Sequence, residues 1–284
     1  MSDKKKIFKA LYRQQLGTGN VDFLDLLKSL ACSALKKSPI DAEKFAEANK
    51  TKYWNWLSKE IDDLHGRGIL PYHKPLAGTY SLQCASNTNM QSSDLKERRQ
   101  GFLTNCRAEI LKAIDSLNDR EFEGLACVAC DTIGSNNRLL TPSGNEGGID
   151  FFATLSINTR THVFSAAGSE VRIVGQCKKY ESLVSVDRLE QFITTLTNVR
   201  HRSPRVKPHI PHWFEQSRGP IIGWVISYSG FQTGAADEAK QHGIVLSDGL
   251  DIAELISLSE NFLPQGTSSE RASRLVSEAK RLIT

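Results

Sequence analysis

No stretch of this 284-residue sequence is apolar for long enough to span a membrane as a helix, which requires ~18 consecutive residues. The N-terminus, Met-Ser-Asp-Lys-Lys-Lys, carries charge, but no apolar segment of the kind found in a secretion signal follows it. We therefore expect no membrane partner and a cytoplasmic location.

Cysteine spacing gives little support for a structural zinc site. Of the six cysteines, only Cys127 and Cys130 form a Cys-x-x-Cys pair. A structural zinc ion takes four ligands, and neither a second such pair nor a His-x-x-x-His motif lies nearby. The pair falls at i and i+3 within an amphipathic helical pattern. We interpret both residues as buried free thiols, and we expect no disulfides in a cytosolic chain.

Neither sign of charge dominates the chain. The net charge is +4 with a pI near 8.7, which permits nucleic-acid binding without demonstrating it. Hydrophobic residues make up 39% and charged residues 24%, a balance typical of a folded soluble protein. The length suits one large domain or two ordinary ones.

Helical patterns followed by two short strands fill residues 1–84. Apolar residues recur at i, i+3, i+4 and i+7 in Phe23, Leu26, Leu27 and Leu30. The pattern then predicts helices over 42–49, capped by Asp41, and over about 52–64, and strands at 69–70 and 79–82. This order predicts a mainly helical, winged-helix-like domain that binds DNA. A small helical domain for contacts with partner proteins is the alternative.

The polar residues 85–94 contain almost no apolar side chains and are predicted to form a linker. Residues 95–284 then form the second predicted domain. After an initial helix, the order is helix, strand, strand, helix, strand, helix, strand, with an early strand placed at residues 138–140. Such alternation predicts an α/β sheet with helices on both faces.

Two short motifs between Gly144 and Tyr180 carry the chemical information. The first, Gly-Gly-Ile-Asp, ends at Asp150, and the second, Gln-Cys-Lys, spans Gln176 to Lys178 on a strand. Alternate strand residues share a face, so Gln176 and Lys178 point the same way. If the two strands are neighbours, a carboxylate, an amide and an ammonium converge at one end of a sheet.

That combination suits hydrolysis of a phosphodiester. A divalent cation on oxygen ligands offsets the negative charge of the phosphate and lowers the pKa of a bound water. Asp150 and the backbone carbonyl of Cys177 would be ligands, and Gln176 a weaker one. Lys178 would orient the attacking water or stabilise the charge of the transition state.

These motifs resemble those of the Mrr-like restriction endonucleases, within the PD-(D/E)xK nuclease superfamily, which show Gly-Gly-hydrophobic-Asp followed by Gln-x-Lys. Residues 119–134, 183–199 and 223–249 also resemble, in order, the first helix, the helix after the lysine strand and the closing unit of that family. The resemblance covers residues 119–258. It implies a restriction-endonuclease-like fold, in which helices flank a central mixed sheet.

The resemblance also implies an activity: Mg²⁺-dependent DNA cleavage, with Mn²⁺ as a substitute, in restriction and antiviral defence against foreign DNA. Glu123 matches a glutamate that points to the metal site in that family, although it could also be a plain surface carboxylate. The predicted catalytic residues are therefore Asp150, Gln176, Lys178 and Glu123. The predicted metal ligands are Asp150, Gln176, Glu123 and the Cys177 carbonyl, and Glu146 stays open between an extra ligand and a turn residue.

Basic and aromatic residues interleave between His201 and Pro220, which suits contact with phosphates and bases, although a plain surface loop is the alternative. The expected partner is double-stranded DNA. We also expect a homodimer, because one site per chain must act on two strands. Two rival functions stay open: the nuclease effector of a multi-protein defence assembly, and a DNA-binding protein whose nuclease site is degenerate.

Overall fold

The computed structural model describes residues 2–14, 19–66, 73–84, 91–144, 147–156, 170–258 and 267–283. The chain forms two compact units, the first comprising Met1–Lys112 with Thr267–Ser269 and the second Ala113–Gly266 with Glu270–Thr284. The linker predicted at 85–94 stays a prediction, since residues 85–90 lie outside the described ranges. None of the helices in these ranges is long and apolar enough to cross a bilayer.

The first unit is mainly helical. Its helices are α1 (Asp3–Leu11), α2 (Phe23–Leu35), α3 (Pro39–Gly66) and α4 (Leu95–Thr104). Helix α2 buries the predicted apolar residues Phe23, Leu26, Leu27 and Leu30. Asp22 begins this helix by accepting hydrogen bonds from the backbone N–H groups of Leu24 and Asp25.

The prediction of two helices over 42–49 and 52–64 was wrong, because α3 runs through both without a break. The residues between them include neither Gly nor Pro, so nothing there interrupts the helix. The cap was also misplaced. The hydroxyl of Ser38 accepts from the N–H of Asp41 and donates to its carboxylate, so Ser38 begins the helix and Asp41 lies in its first turn.

Three short strands complete the first unit: β1 (Asn20–Asp22), β2 (His73–Pro75) and β3 (Ser81–Cys84). They form an antiparallel sheet in the order β1-β3-β2. The strand predicted at 79–82 corresponds to β3, the strand predicted at 69–70 lies outside the described residues, and β1 was not predicted. Helices α2 and α3, joined by a three-residue turn and followed by the β2–β3 pair, give the mainly helical arrangement expected here.

The remaining helices are α5 (Arg107–Ser116), α6 (Asp119–Thr132), α7 (Val186–Arg200), α8 (His212–Gln216), α9 (Thr233–Gln241), α10 (Gly249–Leu258) and α11 (Ser268–Arg281). The boundary between the two units falls within α5. A single 3-10 turn covers Lys207–His209.

The second unit contains a five-stranded mixed sheet, which confirms the predicted fold class. Its strands are β4 (Ser135–Leu140), β5 (Phe151–Ser156), β6 (Glu170–Lys178), β7 (Ile221–Ser227) and β8 (Ile244–Asp248), in spatial order β4-β5-β6-β7-β8. The first three are antiparallel neighbours, and β6, β7 and β8 run parallel. The sheet has one strand more than the predicted order, because three strands precede α7 rather than two.

Helices cover both faces of this sheet. On one face, α7 and α9 bury Phe192, Leu196 and Ala239 against Val174 of β6 and Val225 of β7. On the other face, α6 packs against β4, β5 and β6. Along β6, successive side chains therefore enter different layers of the core.

Candidate active site

Asp150 lies just before strand β5 begins, beside the end of the antiparallel strand β6. Its backbone N–H donates to the carbonyl of Gly175 at 2.9 Å, which continues the β5–β6 ladder by one residue. Its Oδ2 accepts from the backbone N–H of Cys177 at 2.5 Å. The hydrogen bond fixes the carboxylate beside the backbone of Cys177, the residue between Gln176 and Lys178. The two sequence motifs therefore meet.

The environment of Asp150 disfavours its negative charge. Its pKa is raised to about 6, mainly because burial removes water from the carboxylate, and secondarily because the charge of Glu123 repels it. The hydrogen bond from Cys177 and the nearby Lys178 and Arg120 act in the opposite direction. A carboxylate of this kind gains more than an exposed one from a bound cation.

Glu123 reaches the same region from α6. The side chain of Asn118 and that of Glu121 form a capping box that begins this helix, and Glu123 follows within its first turns. Glu123 pairs with Arg120 at 2.6 Å, and Arg120 also donates to the carbonyl of Thr141 at 2.5 Å. Sequence reasoning missed Arg120, although its spacing of three residues from Glu123 on a helix was a usable signal.

Gln176 holds the Gly-Gly turn that leads to Asp150. Its Nε2 donates to the carbonyl of Gly148 at 2.6 Å, and only 6% of the residue is exposed. Thr195 of α7 donates to the preceding carbonyl, that of Gly147, at 2.7 Å. Gly148 has φ +85°, and a Cβ there would lie 3.0 Å from the Gln176 amide nitrogen. The role of Gln176 as a metal ligand stays a prediction, because this contact by itself gives the side chain a positioning role.

Lys178 is half-buried at the end of β6, with its ammonium 6.0 Å from the ring centre of Tyr180. Burial raises the pKa of the Cys177 thiol well above its usual value, so this sulfur stays protonated. The N–H and C=O of a strand residue point towards the same neighbouring strand. Because the Cys177 N–H points to Asp150, its carbonyl lies on that side too.

These groups can hold a hard cation only with a mixed set of ligands. Within the described part of the chain, no group of three His, Cys, Asp or Glu side chains is arranged so that it could hold a metal ion. Asp150, Glu123 and the Cys177 carbonyl are oxygen donors of the type that Mg²⁺ prefers, and the repulsion between the two carboxylates favours a cation there. Glu146 lies outside the described residues.

The segment between His201 and Pro220 is folded onto the sheet rather than extended from it. Val206, Ile210 and Phe214 are buried in the same core cluster as Phe152 and Val174. The basic side chains remain outside, with Arg202, Arg205, Lys207 and Arg218 exposed.

The Cys-x-x-Cys pair belongs to the core, as predicted. Cys127 and Cys130 are free thiols with no exposed surface. Burial raises the pKa of Cys127 to about 11 and that of Cys130 well above its usual value. Each of the six cysteines is a thiol and not part of a disulfide.

No protein-family model and no curated protein matches the chain. Among solved structures, 66% of the chain is similar to the MspJI restriction endonuclease in complex with a 27-mer oligonucleotide, at 18% identity and a TM-score of 0.37. The DNA modification-dependent restriction endonuclease AspBHI is similar over 63% of the chain (18% identity, TM-score 0.41), and restriction endonuclease FokI bound to DNA over 89% (10%, 0.39).

The chain spans less than half the length of these three proteins, covering 37%, 40% and 44% of their chains. At these TM-scores, the description of the fold rests on the topology of the chain itself.

Proposed function

We propose that this chain is a divalent-cation-dependent DNA endonuclease that hydrolyses phosphodiester bonds. The observation that carries the proposal is the contact of Asp150 with the Cys177 peptide, which places a charge-disfavoured carboxylate between Gln176 and Lys178. A half-buried carboxylate beside a lysine at one end of a sheet suits chemistry on an anionic substrate.

Each residue has a distinct role in this proposal. Asp150, Glu123 and the Cys177 carbonyl would hold Mg²⁺, or Mn²⁺ in its place. When bound, the ion offsets the charge of the phosphate and lowers the pKa of a water ligand. Lys178 stabilises the charge that develops on the phosphate or orients the attacking water. Gln176 holds the turn before Asp150 and so fixes the position of its carboxylate.

The sequence motifs support a finer assignment, to the Mrr-like group within the PD-(D/E)xK nucleases. We propose restriction or antiviral defence against foreign DNA as the biological role, with double-stranded DNA as substrate and a cytoplasmic location. The first unit would contribute DNA binding or contacts with partner proteins. A homodimer would bring two sites to the two strands of a duplex.

Plasmid cleavage by the full-length protein tests the proposal. Supercoiled plasmid is incubated with the wild-type chain and with Asp150→Asn, in Mg²⁺ and in EDTA, and Mg²⁺ binding is measured separately by calorimetry. We expect nicking or linearisation only in Mg²⁺, with loss of both cleavage and Mg²⁺ binding in Asp150→Asn, because an amide is a poor ligand for a hard cation. Lys240→Ala, which removes an exposed cation of α9, is the control and should cleave normally.

The absence of a three-residue ligand cluster from the described residues favours a second candidate, a DNA-binding protein with a degenerate nuclease site. A third candidate, a nuclease effector that needs other subunits of a defence assembly, predicts the same inactivity of the isolated chain. Calorimetry separates them: the degenerate protein binds DNA but no Mg²⁺, whereas the effector binds Mg²⁺ through Asp150.

A further inference from the structure

Three arginines converge at the start of β7, at the end of the sheet opposite to Asp150. Arg172 of β6 donates from its Nε to the carbonyl of Gly219 at 3.0 Å, and its guanidinium lies 5.4 Å from the ring centre of Phe214. Arg200, the last residue of α7, donates to the carbonyl of Ile221 at 3.0 Å. Each of these side chains is thus oriented by the backbone next to β7.

The third arginine, Arg202, has a backbone conformation that normally favours glycine. Its φ is +51°, in the left-handed region. Its N–H donates to the carbonyl of Val199, and the N–H of Ser203 donates to that of Asn198. This pair of bonds is the Schellman motif, whose left-handed residue is usually glycine. A side chain at this position carries a backbone penalty that glycine would avoid.

Arg202 also carries a charge that its surroundings do not offset. Desolvation lowers the pKa of Arg172, and the positive charge of Arg202 lowers it further. Arg202 follows the last residue of α7, Arg200, by two positions, so the chain itself places it beside the other two arginines. Within the described residues, neither of these arginines forms an ion pair. The nearest acid along β6, Glu170, accepts from the side chain of Asn136 instead.

We propose that Arg172, Arg200 and Arg202 form a binding site for backbone phosphates of duplex DNA that flanks the cleavage point. That the ligand is DNA rests on the proposed nuclease function, whereas the preference for an anion rests on the arginines alone. Arg172 has a second, longer backbone contact, from its Nη1 to the carbonyl of Phe214 at 3.4 Å. A guanidinium has five N–H donors, so Arg172 and Arg200 keep further donors for phosphate oxygens. Exposed Arg218, next to Gly219, extends the same positive surface.

The position of this arginine site distinguishes it from the catalytic end. Arg172 and Lys178 lie six residues apart on β6, which corresponds to roughly 20 Å along a strand. This separation equals about six base-pair steps of a duplex at ~3.4 Å each. The arginines would therefore contact phosphates away from the scissile one, and their effect belongs to DNA affinity.

The test measures binding of a fluorescent duplex oligonucleotide to the full-length chain by anisotropy, in EDTA, over a range of salt concentrations. We expect Arg202→Gly to weaken binding roughly tenfold and to reduce the slope of log K against log salt by about one. The same variant should unfold at an equal or higher temperature than wild type, because glycine removes the backbone penalty at this position. Weaker binding together with undiminished stability is the result that a merely structural role for Arg202 would not produce.

A pair of charge-matched variants provides the control. Arg202→Gln and Arg274→Gln each remove one exposed positive charge from the second unit, and only the first should weaken binding. The site is overturned if Arg202→Gly binds DNA as wild type does, if both glutamine variants weaken binding equally, or if the wild-type chain binds no duplex. If the wild-type chain binds DNA through Arg202 but never cleaves it, the arginine site stands and the nuclease proposal fails.

Discussion

The two ends of strand β6 place opposite charges in unfavourable positions. At one end, burial and Glu123 raise the pKa of Asp150 to about 6, which disfavours its negative charge. At the other, desolvation and Arg202 lower the pKa of Arg172, which disfavours its positive charge. A bound cation would stabilise the carboxylate at the first end, and a bound anion would stabilise the guanidinium at the second. Under the proposed function, a metal ion would bind at the first end and a DNA backbone at the second, so one strand would organise both catalysis and substrate binding.

The largest effect expected at either end is that of Lys178→Ala. Loss of one electrostatic stabiliser of a transition state typically costs ~10²–10³ in rate. We expect plasmid cleavage to fall by at least this factor, while anisotropy shows nearly unchanged DNA binding, which is the converse of Arg202→Gly. A stable, DNA-binding Lys178→Ala protein that cleaves at the wild-type rate would remove the catalytic role from this end of the strand.

Asp150→Asn should stabilise the metal-free chain at neutral pH. The carboxyl has a pKa of about 6 when folded, against about 3.9 in an unfolded chain. The folded state therefore binds the proton more tightly and loses stability as pH rises from about 4 to about 6, by up to about 3 kcal/mol. Urea unfolding in EDTA should show the variant to be more stable at pH 7.5 and equal to wild type at pH 4.

The control for this experiment is Asp187→Asn, which changes an exposed carboxylate in the first turn of α7 and should give no gain. Equal stability of Asp150→Asn and wild type at both pH values would mean that the charge of Asp150 is not disfavoured, and the contrast between the two ends of β6 would disappear.

Gln176→Glu should destabilise the chain by about 1–3 kcal/mol, because a carboxylate would face the carbonyl of Gly148 where the amide now donates a hydrogen bond. Thermal unfolding in EDTA measures the effect, with the exposed Gln191→Glu on α7 as the control. If Gln176→Glu instead unfolds as wild type does and binds Mg²⁺ more tightly, Gln176 is a ligand position and its contact with the turn is incidental.

The smallest effect is a gain in stability. Arg202→Gly should raise the free energy of unfolding by about 0.5–1 kcal/mol, because glycine adopts a positive φ without the penalty of a Cβ. Lys36→Gly, at φ +55° after α2 in the first unit, should give a similar gain. Urea titration measures both, and a loss of stability in Arg202→Gly would show that its side chain supports the fold.

Local sequence patterns predicted most of the second unit because its signals are strong. Strand β7 is nearly all apolar, and the motifs around Asp150 and Lys178 identify β5 and β6 directly. Strand β4 was predicted only in part, since it begins with Ser-Asn-Asn-Arg and its polar side chains give little strand signal. Helix α3 was predicted as two shorter helices, although no Gly or Pro separates them and the buried residues of the helix extend from Ala42 to Leu64.

The residues of the candidate site could be predicted where short sequence motifs contain them. The contacts that depend on packing between distant segments could not be predicted. The motifs gave Asp150, Gln176 and Lys178. They gave no sign that Gln176 would bind the carbonyl of Gly148, or that Thr195 would bind the one before it, because these contacts depend on where α7 crosses the sheet. Likewise, the arginines at the start of β7 come from β6, from the last residue of α7 and from two residues beyond that helix, and only the topology places them together.

The ion pair between Arg120 and Glu123 has a thermodynamic consequence. With Asp150 ionised, the negative charges of Asp150 and Glu123 equal in number the positive charges of Arg120 and Lys178. The metal-free site is therefore close to electroneutral and attracts DNA only weakly at long range. A divalent cation would leave it with an excess of about two positive charges. Metal and DNA should then show positive, reciprocal linkage: each raises the affinity for the other by the same factor. DNA binding would be strengthened by the same ion that permits hydrolysis.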